Sequence, residues 1–469
     1  KNRFLFAIAE TYDVIVTIPQ GKLEIIATAQ DGSGHTTIHL GSGKLFPAKV
    51  IAKPNKVAMM KQYADMDMKM GAPALIGNKK KKTPKFLMSN YGMIMNMDNT
   101  EQRSSMGDDM NMEQMNHASK QQKDTTGNFT YKERKKHFNY NFLEAKEKTT
   151  FNPDIPVNEM LLNLTGNMNR YVWSINGIPL SETDKIKIEG GEVTRITLNN
   201  LTMMHHPMHL HGHYFRVVNE NGERSPLKHS VNVPPMQKVT IEFYNEEYGD
   251  WFFHCHILYH MLGGMARIMS YDTPRDERLK DFRVQGLIDE TNHYYSWGLA
   301  ELGSNFSEFK LTSANIRNEF NVSIETDYNQ NSEIEVTYNR YVNDWVRIYA
   351  GANAENETPD SYDEINTVGL VGLKYFTPYM FNVDVSIDHQ IRPRVRVDKE
   401  ILLFPRFFVE GEYEYRADFG WVNNLEENTR FEGEDEWLIR ASYILSRNFS
   451  IQANYNSHYG WGGGLTVRF

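Results

Sequence analysis

The chain has 469 residues, with 51 Lys and Arg against 60 Asp and Glu and a formal net charge of -9, a balance that argues against a nucleic-acid partner. No apolar run approaches the roughly 20 residues that a transmembrane helix needs, which excludes crossing a membrane by helices but not by strands. A single cysteine excludes an intrachain disulfide, and the length has room for two or three domains.

Residues 1–53 alternate and carry turn signals, as in Tyr12-Asp-Val-Ile-Val-Thr-Ile18 and Leu23-Glu-Ile-Ile-Ala27, and read as the last strands of a β domain. Residues 54–145 differ in composition: thirteen of the 23 methionines fall between Met59 and Met115. Such a stretch is often a flexible apolar binding face, but here the methionines stand among polar residues without a helical stripe. Soft thioethers on a partly acidic segment suit capture of Cu(I), with Met66, Met68, Met70, Met93, Met95, Met97, Met110, Met112 and Met115 as candidate ligands. The Lys79 to Lys82 run inside this insert reads as a solvated loop.

Residues 146–271 return to short strands: Tyr171 to Asn176, Lys185 to Ile188, Glu192 to Leu198 and Val239 to Tyr244, separated by Asn-Gly and Gly-Gly turns. This pattern predicts a Greek-key sandwich. Nine of the 16 histidines lie between His205 and His260, and the only cysteine sits between two of them. In Trp251-Phe-Phe-His-Cys-His-Ile257 strand alternation sends Cys255 to one face and His254 and His256 to the other, so one segment can serve two metal sites. Cys255, His260 and His206 supply a thiolate and two imidazoles, and Met265 a weak axial thioether, the ligand set of a blue electron-transfer copper. The imidazoles of His209, His211, His254 and His256 then belong to a second copper site, with Cys255 as a covalent electron route to His254 and His256. Zinc also accepts one thiolate with imidazoles, but four ligands satisfy it and it leaves the rest of this convergence unexplained. His205, His213 and His229 stay unassigned, as neighbours or supporting groups.

After the polar hinge Asp272 to Arg278, residues 272–469 carry long alternating strands. Glu410, Glu412, Glu414, Arg416 and Asp418 share one face, opposite Tyr413, Tyr415, Phe419 and Trp421. The alternation recurs at Phe381 to Asp388, Ile391 to Asp398 and Phe449 to Tyr455. In a soluble fold the apolar side would be core; in a membrane barrel it faces lipid and the charged side faces the lumen. Strand length and terminal aromatics favour an antiparallel barrel of roughly 10 to 12 strands with a narrow or plugged lumen. The whole chain is thus read as all-β.

The two histidine blocks, their spacing to His260 and Met265, and Lys228-His-Ser-Val-Asn-Val-Pro-Pro235 between them resemble the third cupredoxin domain of multicopper oxidases, especially the periplasmic copper-resistance oxidases related to laccases. The resemblance implies type 1 copper on His206, Cys255, His260 and Met265, type 2 copper on His209, and the type 3 pair on His211, His254 and His256. It implies oxidation of Cu(I) or another small one-electron donor with reduction of molecular oxygen to water. Residues 1–53 resemble the end of the second cupredoxin domain, and the methionine-rich insert is similar to those of the copper-resistance oxidases. Such enzymes draw two more His-x-His motifs from a first domain; before His205 this chain has only His35, His39, His117 and His137, none so paired. The chain is therefore read as a piece lacking its N-terminal part and inactive alone, with a copper-binding module that only stores or passes on the metal as the alternative. Residues 277–469, ending at Phe469, resemble the outer-membrane copper-resistance protein B family, which implies a barrel in outer-membrane lipid with the cupredoxin part in the periplasm.

Overall fold

The computed structural model describes residues 4–18, 20–52, 139–167, 170–274, 276–281, 283–356, 360–422 and 431–469. The chain is essentially all-β and divides into two compact units, one ending at Thr291 and the other running from Asn292 to Phe469. The nine candidate Cu(I) methionines of the insert, Met66 to Met115, lie outside the described residues.

The first unit begins with a three-stranded sheet in the order β2-β1-β3, made of β1 (Lys22–Thr28), β2 (His35–Gly41) and β3 (Leu45–Phe46). Tyr12 to Ile18, read as a strand, is not one: Val14, Ile15 and Ile18 are exposed, and among the described residues no strand pairs with the segment. A polar anchor ties down its start instead. The buried Glu10 carboxylate accepts from the Tyr12 hydroxyl at 3.1 Å, from the Ala7 N–H at 2.9 Å and from the Tyr140 hydroxyl.

The sandwich follows. One sheet has the order β10-β9-β12-β7-β4-β5, from β4 (Val157–Asn167), β5 (Val172–Ile175), β7 (Val193–Asn200), β9 (Phe215–Val217), β10 (Leu227–Lys228) and β12 (Lys238–Tyr244). The other has the order β11-β8-β13-β14-β6, from β6 (Ile186–Lys187), β8 (His206–Leu210), β11 (Ser230–Val233), β13 (Asp250–Cys255) and β14 (Ala266–Ser270). The inward halves of both sheets bury Leu164, Trp173, Ile196, Leu198, Met208, Leu210, Phe215, Phe243, Phe253 and Cys255 in one cluster. Each large apolar side chain withdrawn from water there contributes about 1.5–3 kcal/mol. Residues read as barrel from about 277 instead continue this unit. Helix α2 (Val284–Glu290) sets Val284 and Ile288 against Leu180, Ala266 and Ile268, because its two apolar positions four apart need a buried partner.

The second unit is a closed twelve-stranded antiparallel barrel in which every strand pairs with its sequence neighbour, from β15 (Tyr295–Gly303) to β26 (Gly460–Arg468). β26 returns to β15, placing Leu299 opposite Arg468, and Gly298 and Phe469 exchange two backbone hydrogen bonds at 2.9 and 3.1 Å. A Cβ on Gly298 would lie 2.4 Å from the Phe469 ring, so the missing side chain makes the seat for the terminal phenylalanine.

Alternation gives the wall two chemistries. Val371, Leu373, Val385, Val395 and Tyr413 face outward and are exposed. Asn339, Ser450, Thr466 and Arg440 fill the interior and are almost wholly buried. The anticipated lumenal charges pair there: Arg396 with Glu412 at 2.6 Å, Arg394 with Glu335 at 2.8 Å, and Arg416 with Glu355 at 2.9 Å. Aromatic groups mark both ends, Trp345 stacked on Phe376 at one and Trp437, Tyr455 and Trp461 at the other. Phe381 and Phe419, expected on strands, fall just outside β21 (Asn382–Asp388) and β23 (Phe407–Asp418), although both are exposed. Among the described residues no helix is long and apolar enough to cross a membrane. The apolar exterior, polar interior and aromatic ends are consistent with an outer-membrane β-barrel.

Candidate metal centre

Two adjacent strands build the site. β8 and β13 run antiparallel with His209 opposite His254 and Met208 opposite Cys255. Directly opposed residues share a face, so alternation puts His206, Met208 and Cys255 on the core side and His209, His211 and His254 on the outer side. β13 ends at Cys255, and His256 lies just beyond it.

On the core side, helix α1 (Leu258–Leu262) turns the chain back so that His260 meets the cysteine five residues earlier. The loop is closed by backbone bonds from the Cys255 N–H to the Met265 carbonyl, 3.1 Å, and from the Met265 N–H to the His260 carbonyl, 2.9 Å. Cys255 Sγ lies 3.5 Å from His260 Nδ1 and 3.7 Å from His206 Nδ1, and those two nitrogens are 3.1 Å apart. His206 meets the Thr202 hydroxyl through Nε2 at 2.7 Å, which turns its Nδ1 toward the sulfur. His206, Cys255, His260 and Met265 are all at 0% exposure.

Burial holds the His206 imidazole well below the ordinary histidine range and brings His260 down to about 4, while the Cys255 thiol is pushed up to about 12. Neutral imidazoles are ready ligands; the thiol must lose its proton as a metal arrives.

On the outer side, ligating atoms of His209, His211 and His254 lie within 4.8 Å of one another. His209 Nδ1 donates to the His229 carbonyl at 2.7 Å and His254 Nδ1 donates to the Cys255 carbonyl at 3.0 Å. A carbonyl only accepts, so each ring keeps its proton on Nδ1 and offers a lone pair at Nε2. The His254 and His211 Nε2 atoms face each other at 3.1 Å. Burial brings His254 to about 4 and also lowers His209 and His211. His256, expected with them, packs against the same rings: it lies 5.4 Å from His254 and 5.7 Å from His209, as His209 and His254 lie 5.6 Å from each other.

Of the unassigned histidines, His229 stands at the outer group with its ring 5.3 Å from that of His209, and the other two are engaged elsewhere. His213 donates from Nδ1 to the His211 carbonyl at 2.8 Å and accepts the Tyr271 hydroxyl at Nε2, also at 2.8 Å, so neither nitrogen is left for a metal. His205 Nδ1 accepts from the Asn232 amide at 2.9 Å. Sequence reasoning missed Trp173, whose ring lies 3.9 Å from that of His260 and 5.4 Å from that of His206. Within an alternating strand a tryptophan reads only as core, and the paired Gly263 and Gly264 after His260 were the available signal that something large packs there.

One thiolate, two neutral imidazoles and a buried methionine on one side, with a cluster of imidazoles on the other, suit copper by donor type. Residues 154–275 match the family model described as multicopper oxidase. The sandwich is thus similar to a multicopper-oxidase domain. Copper resistance protein A of Escherichia coli is 45% identical over 106 residues, 23% of this chain and 18% of that protein. Multicopper oxidase MmcO of Mycobacterium tuberculosis is 37% identical over 116 residues, 25% of this chain and 23% of that protein. The chain thus spans about a fifth of the length of these curated relatives. Among solved structures, the McoA multicopper oxidase of Aquifex aeolicus is similar at 27% identity over 26% of this chain and 31% of that one, with a TM-score of 0.23.

Proposed function

We propose that this chain is the copper-oxidase end of a copper-resistance protein tethered by its own outer-membrane barrel, oxidising Cu(I) or another small one-electron donor at the expense of molecular oxygen. The observation that carries this reading is the two-sided strand: Cys255 belongs to the buried group with His206 and His260, and its chain neighbour His254 to the outer group with His209 and His211. His206, Cys255, His260 and Met265 would hold a type 1 copper, His209 a type 2 copper, and His211, His254 and His256 share of a type 3 pair. Copper held at these positions supplies one-electron chemistry, and four electrons reduce oxygen to water.

The protein's own part is positional. The core excludes water around Cys255, and its main chain links the two groups through one covalent step to His254 and another to His256. The methionine-rich insert favours Cu(I) over a phenol as donor, because thioethers prefer the soft reduced ion. The barrel's pairing with this domain, and its diffuse likeness to the copper-resistance protein B family, supports placement of the sandwich in the periplasm.

In a longer protein that supplies the two further His-x-His motifs, loading with Cu(II) is expected to give strong visible absorption from the Cys255 thiolate together with oxygen consumption, and Cys255→Ser to abolish both. Oxygen consumption retained by the variant overturns the assignment. A second reading, copper storage or transfer without turnover, is favoured by the outer group: it offers three converging imidazoles with His256 beside them, fewer than a three-copper cluster needs. The two missing His-x-His motifs separate the readings, since an oxidase needs them and a storage module does not: oxygen reduction by a longer protein that carries both supports the oxidase, and copper uptake without oxygen reduction by that protein supports storage.

A further inference from the structure

We propose that Trp173, with Tyr171 outside it, is the path by which an electron from an uncharged aromatic molecule, acting as the other small one-electron donor beside Cu(I), reaches the Cys255 site. The inference rests on the oxidase reading above.

The buried site has no ligand edge at the surface: His206 and His260 are both at 0% exposure, so a donor in solution cannot touch either ring. Trp173 covers them. Its indole lies 3.9 Å from the His260 ring, tilted by 30°, and 5.4 Å from the His206 ring at 66°, which puts one π-system against both imidazoles that face the sulfur. Trp173 is itself buried, at 1% exposure, and its outer neighbour is Tyr171, with ring centroids 6.1 Å apart in an edge-on arrangement. Tyr171 is 44% exposed. The series therefore runs from solvent through Tyr171, Trp173 and His260 to Cys255 without a gap wider than an aromatic contact.

Two features separate this series from ordinary core packing. The indole sits in a bed of missing side chains: a Cβ on Gly166 would lie 2.2 Å from its ring, one on Gly263 2.9 Å from it, and one on Gly264 2.7 Å from the Trp173 carbonyl. Tyr171 adopts φ 55°, a left-handed conformation that is unfavourable for a bulky residue, yet it is held there at the surface. The outer end is apolar, with Tyr259 at 72% and Leu258 at 58% exposure, and the Tyr171 and Tyr259 carbonyls lie 3.0 and 3.1 Å from where a Gly263 Cβ would be. An uncharged aromatic donor can lie against such a surface without desolvating a charge.

In the step, one electron leaves the donor and reduces Cu(II) to Cu(I) at the Cys255 site; no bond forms or breaks and no proton moves. The test uses the full chain in detergent, loaded with Cu(II) and mixed with ferrocenemethanol, an uncharged one-electron donor, while the visible absorption is followed by stopped flow. Trp173→Phe and Tyr171→Asn, the latter chosen because asparagine tolerates the left-handed conformation, are each expected to slow bleaching several-fold. The absorption maximum and midpoint potential should stay unchanged, and the exposed tyrosine beside His229, changed as Tyr214→Ser, should bleach at the wild-type rate. Copper loading should also quench tryptophan emission less in Trp173→Phe than in the wild type. Wild-type bleaching rates in both variants, with the band intact, overturn the proposal, as does equal quenching. Should Trp173→Phe fail to hold copper, Tyr171→Asn decides alone. A wild-type chain that takes up copper but shows no visible band overturns the oxidase reading, and this path with it.

Discussion

Arg440 holds three carboxylates together in the barrel interior. From β24 (Glu432–Ile444) its guanidinium meets Glu301 on β15 at 2.8 Å, Glu308 on β16 (Phe306–Ala314) at 3.3 Å and Glu410 on β23 at 2.8 Å. Arg440, Glu301 and Glu308 are 5%, 4% and 6% exposed, so the centre of the network is withdrawn from water, while Glu410 at 22% stays partly open. Arg440→Met keeps the side-chain volume and leaves three carboxylates without their shared cation. Glu308 retains Lys310, and Glu301 retains only the Gln452 amide at 3.0 Å and the Thr466 hydroxyl at 3.4 Å. Breaking a buried pair from one side costs about 3–5 kcal/mol, and the surviving contacts place this variant near the lower end, about 3 kcal/mol. Adding Glu301→Gln should recover part of that loss, a coupling of about 1–3 kcal/mol. The measurement is urea unfolding from lipid vesicles, followed by tryptophan fluorescence and by heat-modifiable migration on gels. A loss below about 1 kcal/mol, the level of an exposed ion pair, would refute the claim that these charges are desolvated and mutually dependent.

Acidification should weaken the sandwich in a defined window. His254 and His260 fall from 6.5 to about 4 in the folded chain, so between those values the unfolded chain binds more protons, and stability is lost as pH falls through them. Protection factors of the β8 and β13 amides, corrected for the slower intrinsic exchange in acid, should fall below about pH 6.5, and constant protection down to pH 4 would contradict the burial argument. Copper affinity at Cys255 should rise about tenfold per pH unit from proton release by its thiol, read by competition with a chelator of known pH dependence. Gly212→Ala, at φ 70° with a Cβ that would fall 2.2 Å from the Trp251 ring, should cost about 1 kcal/mol or more and displace His211, measured by chemical unfolding and by loss of copper from the outer group. Val371→Arg, on the exposed apolar face of β20 (Ile365–Phe376), should cost about 2–4 kcal/mol if that position faces the bilayer midplane. An unchanged midpoint in vesicles would move the lipid boundary elsewhere.

Period-two alternation is a local property of the chain, and it made the all-β architecture, the charged and apolar barrel faces, and the separation of Cys255 from His254 legible before any coordinates. Ligand type is equally local: a cysteine between two histidines, with His260 and Met265 at fixed spacing, marks metal chemistry however the chain folds. What alternation cannot supply is a partner. Tyr12 to Ile18 has the pattern of a strand and no edge to pair with among the described residues, so hydrogen-bond geometry, not side-chain period, decided its conformation. Helix α2 likewise joined the sandwich because Val284 and Ile288 found Leu180 and Ile268 there, a match between distant segments. The finer division among the histidines was also tertiary. His213 is set apart by the Tyr271 hydroxyl, and Trp173 became part of the site only when β5 was laid against the α1 loop. Each of these depends on which surfaces close over one another, and that is a property of the packed chain, to which residue spacing along a single strand carries no guide.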